Sequence, residues 1–192
     1  VGFYLQDSGA EAAIVHGQFA PLLAHESVRA SRLRHVVYVG EPMNPADLGL
    51  AGKHDWAGWV AEQADALEEA DTHRDEMAFW MYSSGSTGRP KGVVHLHHDA
   101  PYTHLAYGKG VLGIRETDIV FSPPKIFFAY GFGNSLTFPF SVGATSVLLP
   151  GRPDPEAVFT TIEHHRPSML FGLPTLYNAL ASHPGSAQRD LS

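Results

Sequence analysis

Cysteine is absent from the 192 residues. Disulfides, thiolate metal sites and a cysteine nucleophile are therefore excluded, and the chain suits a reducing compartment such as the cytoplasm. Positive charge is scarce: 13 Lys and Arg stand against 20 Asp and Glu, for a formal net charge of -7. No run of Lys or Arg occurs, so a nucleic-acid or anionic-membrane surface, which needs clustered cations, is not expected. A locally positive pocket for a small anion remains compatible with this balance. No apolar run reaches the 18 or so residues of a membrane-spanning helix. An initiator Met, a basic leader and a signal-type apolar segment are all missing at Val1, Gly2, Phe3, Tyr4, and the last residues, Gln188 to Ser192, bring no closing element. The expectation is an internal piece of a longer chain.

Hydrophobic residues make up 44% and charged residues 17%, a balance that supports a packed core rather than disorder. Gly and Pro cluster in short stretches such as residues 83–92 and 150–155, where they read as turn chemistry. Strand-like runs occur at residues 12–16, 35–39, 77–83, 93–95, 118–122, 145–149 and 168–171. Helical spacing occurs at residues 2–8, 18–30, 56–69, 99–111, 128–142, 154–165 and 174–181, with Asp154 as an N-cap and Pro155 at the first helical position. Residues 40–55 read as loop. Strands alternate with helices, so the class is α/β with partly parallel sheets. A charged stretch at 70–76 divides residues 1–76 from residues 77–192, two pieces of one larger domain.

The most informative segment runs Tyr82, Ser83, Ser84, Gly85, Ser86, Thr87, Gly88, Arg89, Pro90, Lys91, Gly92. It follows an apolar strand, expected to be buried. Glycines let backbone N–H groups approach an anion, hydroxyls donate to phosphate oxygens, and Lys91 supplies a point charge. The Walker pattern is not met, because Arg89 and Pro90 separate Gly88 from Lys91 and no hydroxyl follows the lysine. Twelve histidines occur, with His95, His97 and His98 crowded behind this loop and His164 and His165 at a helix end. Adjacent histidines diverge on any regular element, and no zinc-type spacing accompanies them, so no metal site is expected. His95 is expected to pack near the loop. Lys125 reads as a surface lysine.

Residues 82–92 resemble the phosphate-loop signature of the adenylate-forming superfamily: acyl-CoA synthetases, peptide-synthetase adenylation domains and luciferases. Residues 125–143 resemble that superfamily's acyl-pocket helix, and are most similar to those of benzoate-CoA and hydroxybenzoate-CoA ligases. Residues 171–177 resemble the strand, turn and helix at the pocket wall, and residues 4–8 the helix end before a strand. The resemblance implies part of the large N-terminal domain of an adenylate-forming enzyme, with incomplete sheets. It implies that Ser83, Ser84, Gly85, Ser86, Thr87, Gly88 and Lys91 wrap the β- and γ-phosphates of ATP, with Lys91 and Thr87 in catalytic roles. It places Ala129, Tyr130, Gly131, Phe132 and Gly133 at the acid, Tyr130 as an aromatic gate and the glycines leaving a slot for a flat ring.

The reaction implied joins an aromatic carboxylic acid to coenzyme A through an acyl-adenylate, with ATP and Mg2+. The family's segments for adenine, ribose and magnesium, and its second lysine, are not found here. The chain alone is therefore expected to be inactive. Alternatives stay open: an aliphatic acyl-CoA synthetase, an amino-acid adenylation domain, a non-catalytic nucleotide- or anion-binding module, and a self-associating interaction piece.

Overall fold

The computed structural model describes residues 1–42, 49–84 and 88–191. The chain divides into two compact units, Val1–Asp71 and Thr72–Ser192.

In the first unit, α1 (Gly2–Ser8) leads into β1 (Ala12–His16). A 3₁₀ stretch (Gly17–Ala24) and α2 (Glu26–Arg29) follow. Then come β2 (His35–Val39), β3 (Gly52–Asp55) and α3 (Trp56–Ala61). The three strands form a parallel sheet in the order β1-β2-β3. β2 is central, and its consecutive Val36, Val37 and Tyr38 are all buried, as expected where both faces of a parallel strand are covered. Leu5, Ala20, Leu23, Val28 and Leu33 pack with Val36 and Tyr38 into one core.

Four expectations change in this unit. β1 lies at the sheet edge with alternate residues exposed rather than buried. The single helix expected over 18–30 is broken: Pro21 lacks the donor an α-helix needs, and His25 begins a new helix by accepting from the Ser27 N–H at 3.2 Å. The helix expected over 56–69 stops at Ala61. Beyond it Asp65, Glu68 and Glu69 would set like charges three and four residues apart, and Leu67, 95% exposed, finds nothing to pack on. Finally, β3 lies inside the expected loop. Gly-Lys-His-Asp has little strand propensity, and its extended form comes from pairing with β2.

The second unit opens with a two-stranded antiparallel hairpin, β4 (Met77–Ser84) and β5 (Pro90–Leu96), in which Trp80 faces Val94 and Ser83 faces Lys91. α4 (Asp99–Thr103) runs into a π-helical stretch (His104–Lys109), then β6 (Ile119–Phe121). α5 (Ala129–Phe132), a π stretch (Gly133–Thr137) and α6 (Phe138–Phe140) form one helical path. Pro139 within it cannot donate to the Ser135 carbonyl, which favours the wider turn. β7 (Thr145–Val147), α7 (Pro155–His165), β8 (Met169–Leu170) and α8 (Pro174–Ala181) complete the unit. The sheet here is β7-β6-β8, all parallel. Asp154 caps α7 as its sequence predicts, accepting the Ala157 N–H at 2.9 Å.

β6 is the spine of this unit. Val120 packs with Ile114 and Ala144 on one core cluster, and Phe121 with Val147, Val158, Phe159, Ile162 and Leu180 on another. Phe159 is 2% exposed, and the Arg189 guanidinium lies 5.2 Å from its ring centroid. Truncation leaves a void that so tight a cluster cannot close. Phe159→Ala is therefore expected to destabilise this unit by about 3–5 kcal/mol, read as a lower midpoint in urea unfolding monitored by circular dichroism. A midpoint shift worth under about 1 kcal/mol would contradict this packing.

Candidate functional site

The site is assembled from two pieces of the second unit, the hairpin and the helix that begins at Ala129. Ser83 and Ser84 end β4, both exposed. Lys91 stands directly across from Ser83, and Pro90 across from Ser84, so the hairpin brings two hydroxyls and an exposed ammonium to one end. Gly88 has φ 81, a left-handed conformation that glycine adopts without the steric cost of a β-carbon. Gly85, Ser86 and Thr87, also expected at the phosphates, lie outside the described residues. Gly92 serves packing, since a β-carbon there would come within 3.1 Å of the Trp80 ring and 3.2 Å of the Tyr82 ring.

The expected burial of this strand is corrected. Met77 is 64% and Trp80 36% exposed, because two strands cover only one face. That covered face carries Phe79 and Met81, with His95 from β5. The Phe79 ring lies between the imidazole of His95, at 4.9 Å and 20° between planes, and the ring of Phe132 on α5, at 5.1 Å. Phe79, Met81, His95, Asp99, Ala129, Phe132 and Gly133 line a largely apolar cavity of about 160 Å³. Three of the five residues expected at the acid thus share one cavity with the hairpin.

Gly131 and Tyr130 face elsewhere. Gly131 is buried, and a β-carbon on it would meet the Lys125 carbonyl oxygen at 2.2 Å and that of Pro124 at 2.5 Å. Its hydrogen lets the helix ride directly on that loop. The slot reading therefore fits Gly133, which lines the cavity, and not Gly131. The Tyr130 hydroxyl donates a long bond to the Gly172 carbonyl, 3.4 Å. Gly172 is also held through its N–H by Tyr177, whose hydroxyl accepts that N–H at 2.9 Å and donates to the Leu170 carbonyl at 3.0 Å. Partial burial, then the neighbouring phenols of Tyr177 and Tyr107, push the Tyr130 phenol above its ordinary value. It therefore stays a neutral donor. Lys125 is not a free surface lysine. Its ammonium donates to the backbone carbonyls of Leu149 and Gly151 and braces the loop under Gly131.

Sequence reasoning missed the polar wall of the cavity. Asp99, at the start of α4, accepts the Leu96 N–H at 3.0 Å and faces His95 Nδ1 at 3.3 Å. Its other oxygen faces His98 Nε2 at 3.3 Å, and His98 Nδ1 reaches Asp75 at 3.0 Å. The Leu96 N–H first, then the imidazoles of His95 and His98, hold the Asp99 carboxyl below the ordinary carboxylate range against partial desolvation. The spacing of four between His95 and Asp99 was a signal in the sequence, but the partnership with Asp75 joins residues 23 apart. Among the described residues no group of three or more His, Cys, Asp or Glu converges as a metal cage.

The arrangement is a hairpin end with two hydroxyls and an ammonium, joined to an aromatic-lined cavity. The family model of the AMP-binding enzyme matches residues 1–192, and the chain belongs to that family. It is 43% identical over 182 residues to the benzoate–CoA ligase of Thauera aromatica, covering 95% of this chain and 33% of that one. It is 38% identical over 189 residues to the 4-hydroxybenzoate–CoA/benzoate–CoA ligase of Rhodopseudomonas palustris, covering 98% and 34%. The crystal structure of an anthranilate CoA ligase in complex with anthranoyl-AMP superimposes with a TM-score of 0.88 at 39% identity, over 100% of this chain and 36% of that one. The chain spans about a third of the length of the curated relatives it matches. No helix among the described residues is long and apolar enough to cross a membrane.

The Asp99 geometry predicts a pH response. A carboxyl whose folded pKa is depressed stabilises the fold above its unfolded value of about 3.9, and that contribution is lost as pH falls through the folded pKa. Asp99→Asn keeps an acceptor for Leu96 but cannot ionise. Urea unfolding between pH 5 and pH 2 should show a shallower loss of stability in this variant than in the parent; superimposable pH profiles would count against the assignment.

Proposed function

We propose that the chain carries the phosphate hairpin and part of the acid-binding wall of an AMP-forming, ATP-dependent carboxylic acid–CoA ligase for benzoate-like aromatic acids. The observation that carries this reading is the Phe79–Phe132 contact, which joins the strand feeding the phosphate loop to the helix of Ala129–Phe132 around a single cavity. Similarity to benzoate- and hydroxybenzoate-CoA ligases supports the substrate class.

In this reading Ser83, Ser84, Gly85, Ser86, Thr87, Gly88 and Lys91 embrace the β- and γ-phosphates. An oxygen of the acid attacks the α-phosphorus of ATP, pyrophosphate leaves, and an acyl-adenylate forms. The thiol of coenzyme A then attacks the acyl carbon and AMP leaves. The protein contributes position and charge: Lys91 offsets the negative charge of the departing pyrophosphate, and the Thr87 hydroxyl donates a hydrogen bond to it. Residues 82–92 hold no Asp or Glu. A hard cation such as Mg2+, which prefers oxygen ligands, would be carried here by the phosphates rather than by this segment. Ala129, Phe132 and Gly133 would flank the ring of the acid, with Tyr130, fixed on the Gly172 peptide, at its carboxylate end and Gly131 setting the seat of the helix. A cytoplasmic location, where ATP and coenzyme A are both supplied, fits this reading.

Two tests apply to the complete ligase that contains this chain. Lys91→Ala should slow acid-dependent exchange of pyrophosphate into ATP by about a hundredfold or more, while the dissociation constant of the acid changes little. Equal exchange rates would end the assignment. The aromatic lining predicts a higher kcat/KM for benzoate than for octanoate. A reversed order would instead support the aliphatic alternative.

A further inference from the structure

The turn from β8 into α8 is fastened from inside the helix rather than at its start. Leu173, the residue before α8, makes no side-chain cap, and Pro174 brings no N–H. Tyr177, one turn further on, does the fastening. Its hydroxyl accepts the Gly172 N–H at 2.9 Å and donates to the Leu170 carbonyl at 3.0 Å, so one oxygen bridges the turn. The ring lies against Gly172 itself: a β-carbon there would come within 3.0 Å of Tyr177 Cζ and 3.3 Å of its Cε1. Gly172 is buried, whereas Tyr177 is 42% exposed. The direction of the Gly172 carbonyl matters to one other side chain, because it accepts the Tyr130 hydroxyl at 3.4 Å. That distance is near the limit for a hydrogen bond, so a small turn of the carbonyl releases the phenol.

We propose that Tyr177 is a positioning residue for binding of the aromatic acid: by holding Gly172, it keeps the Gly172 carbonyl facing Tyr130 and so fixes the orientation of that phenol. The proposal rests on the reading that puts Tyr130 at the carboxylate end of the acid. Tyr177 acts through Gly172 and not on the reacting atoms. A phenol tethered at its hydroxyl has lost its rotational freedom before the acid arrives; an untethered one must be ordered as the acid binds, at a cost in affinity. The loss therefore falls on binding of the acid rather than on the chemical step. Ser83, Ser84 and Lys91 belong to the hairpin and take no part in the chain of contacts from Tyr177 through Gly172 to Tyr130, so the affinity for ATP is left alone.

The test uses the complete ligase. Tyr177→Phe keeps the ring and removes only the bridging oxygen, so the fold stays and the tether goes. It should raise KM for benzoate about threefold or more, with kcat and KM for ATP each within about twofold of the parent. Added to Tyr130→Phe, the same substitution should change KM for benzoate by less than about twofold, because the phenol it acts on is already gone. A merely structural role would cost the same factor in both backgrounds, and that result overturns the proposal. So does an unchanged KM in Tyr177→Phe; if Tyr130→Phe raises KM by itself, the ligase reading stands and only Tyr177 is misassigned. If neither variant moves KM, the placement of Tyr130 at the acid falls as well. A second readout needs no turnover. Donation to Gly172 favours the neutral phenol, so NMR of tyrosine labelled at Cζ, with the Tyr130 signal assigned by its loss in Tyr130→Phe, should show Tyr130 titrating at lower pH in Tyr177→Phe than in the parent. An unmoved midpoint overturns the proposal even where benzoate is not a substrate.

Discussion

The ring of Phe79 is the joint on which the candidate site depends. It belongs to the hairpin, yet it is packed between His95 of the neighbouring strand and Phe132 of the helix. A two-stranded hairpin is marginal in water by itself. Its covered face gains stability only by meeting another apolar surface, and α5 offers that surface. Stabilising the hairpin and joining it to the cavity are therefore one packing event. The hydroxyls of Ser83 and Ser84 and the ammonium of Lys91 inherit their position from it.

A second constraint acts from beneath the helix. Gly131 allows α5 to rest on the carbonyls of Pro124 and Lys125, and Lys125 ties that loop to the carbonyls of Leu149 and Gly151. The helix is thus held by backbone contact on one side and by aromatic contact on the other. Tyr130, between these two supports, is linked to the carbonyl of Gly172, whose N–H Tyr177 holds. The polar wall follows the same economy: Asp99 ends β5 by accepting from Leu96 and also orients His95 toward the cavity. Side chains that complete the local fold are those that shape the site.

Much of this was legible in the order of residues. The loop proposed to hold phosphate stands out because its chemistry is local: glycines, hydroxyls and a lysine within eleven consecutive positions. Strands β2 and β4 and helices α7 and α8 were legible because their signals are also local: a β-branched run in β2, an apolar and aromatic run in β4, an N-cap at Asp154 and prolines at the first helical position. The failures have a common cause. β3 was hidden because Gly-Lys-His-Asp becomes a strand only when β2 is beside it. The helix over 56–69 ends early, at Ala61: helical spacing alone carries no account of like-charge repulsion or of a partner for Leu67. The π-helical stretches were not legible: His104–Lys109 carries no compositional mark, and Pro139 beside the other signals a helix break equally well.

The amino-acid order by itself determined the chemical inventory: no thiols, an acidic balance, a glycine- and hydroxyl-rich loop with a lysine, and an aromatic helix. Tertiary structure alone decided which of these meet. The Phe79–Phe132 contact spans 53 positions in the numbering, and the Tyr130 hydroxyl meets the carbonyl of a residue 42 positions away. Such meetings depend on packing between distant segments, and no local pattern of side chains encodes the distance between them.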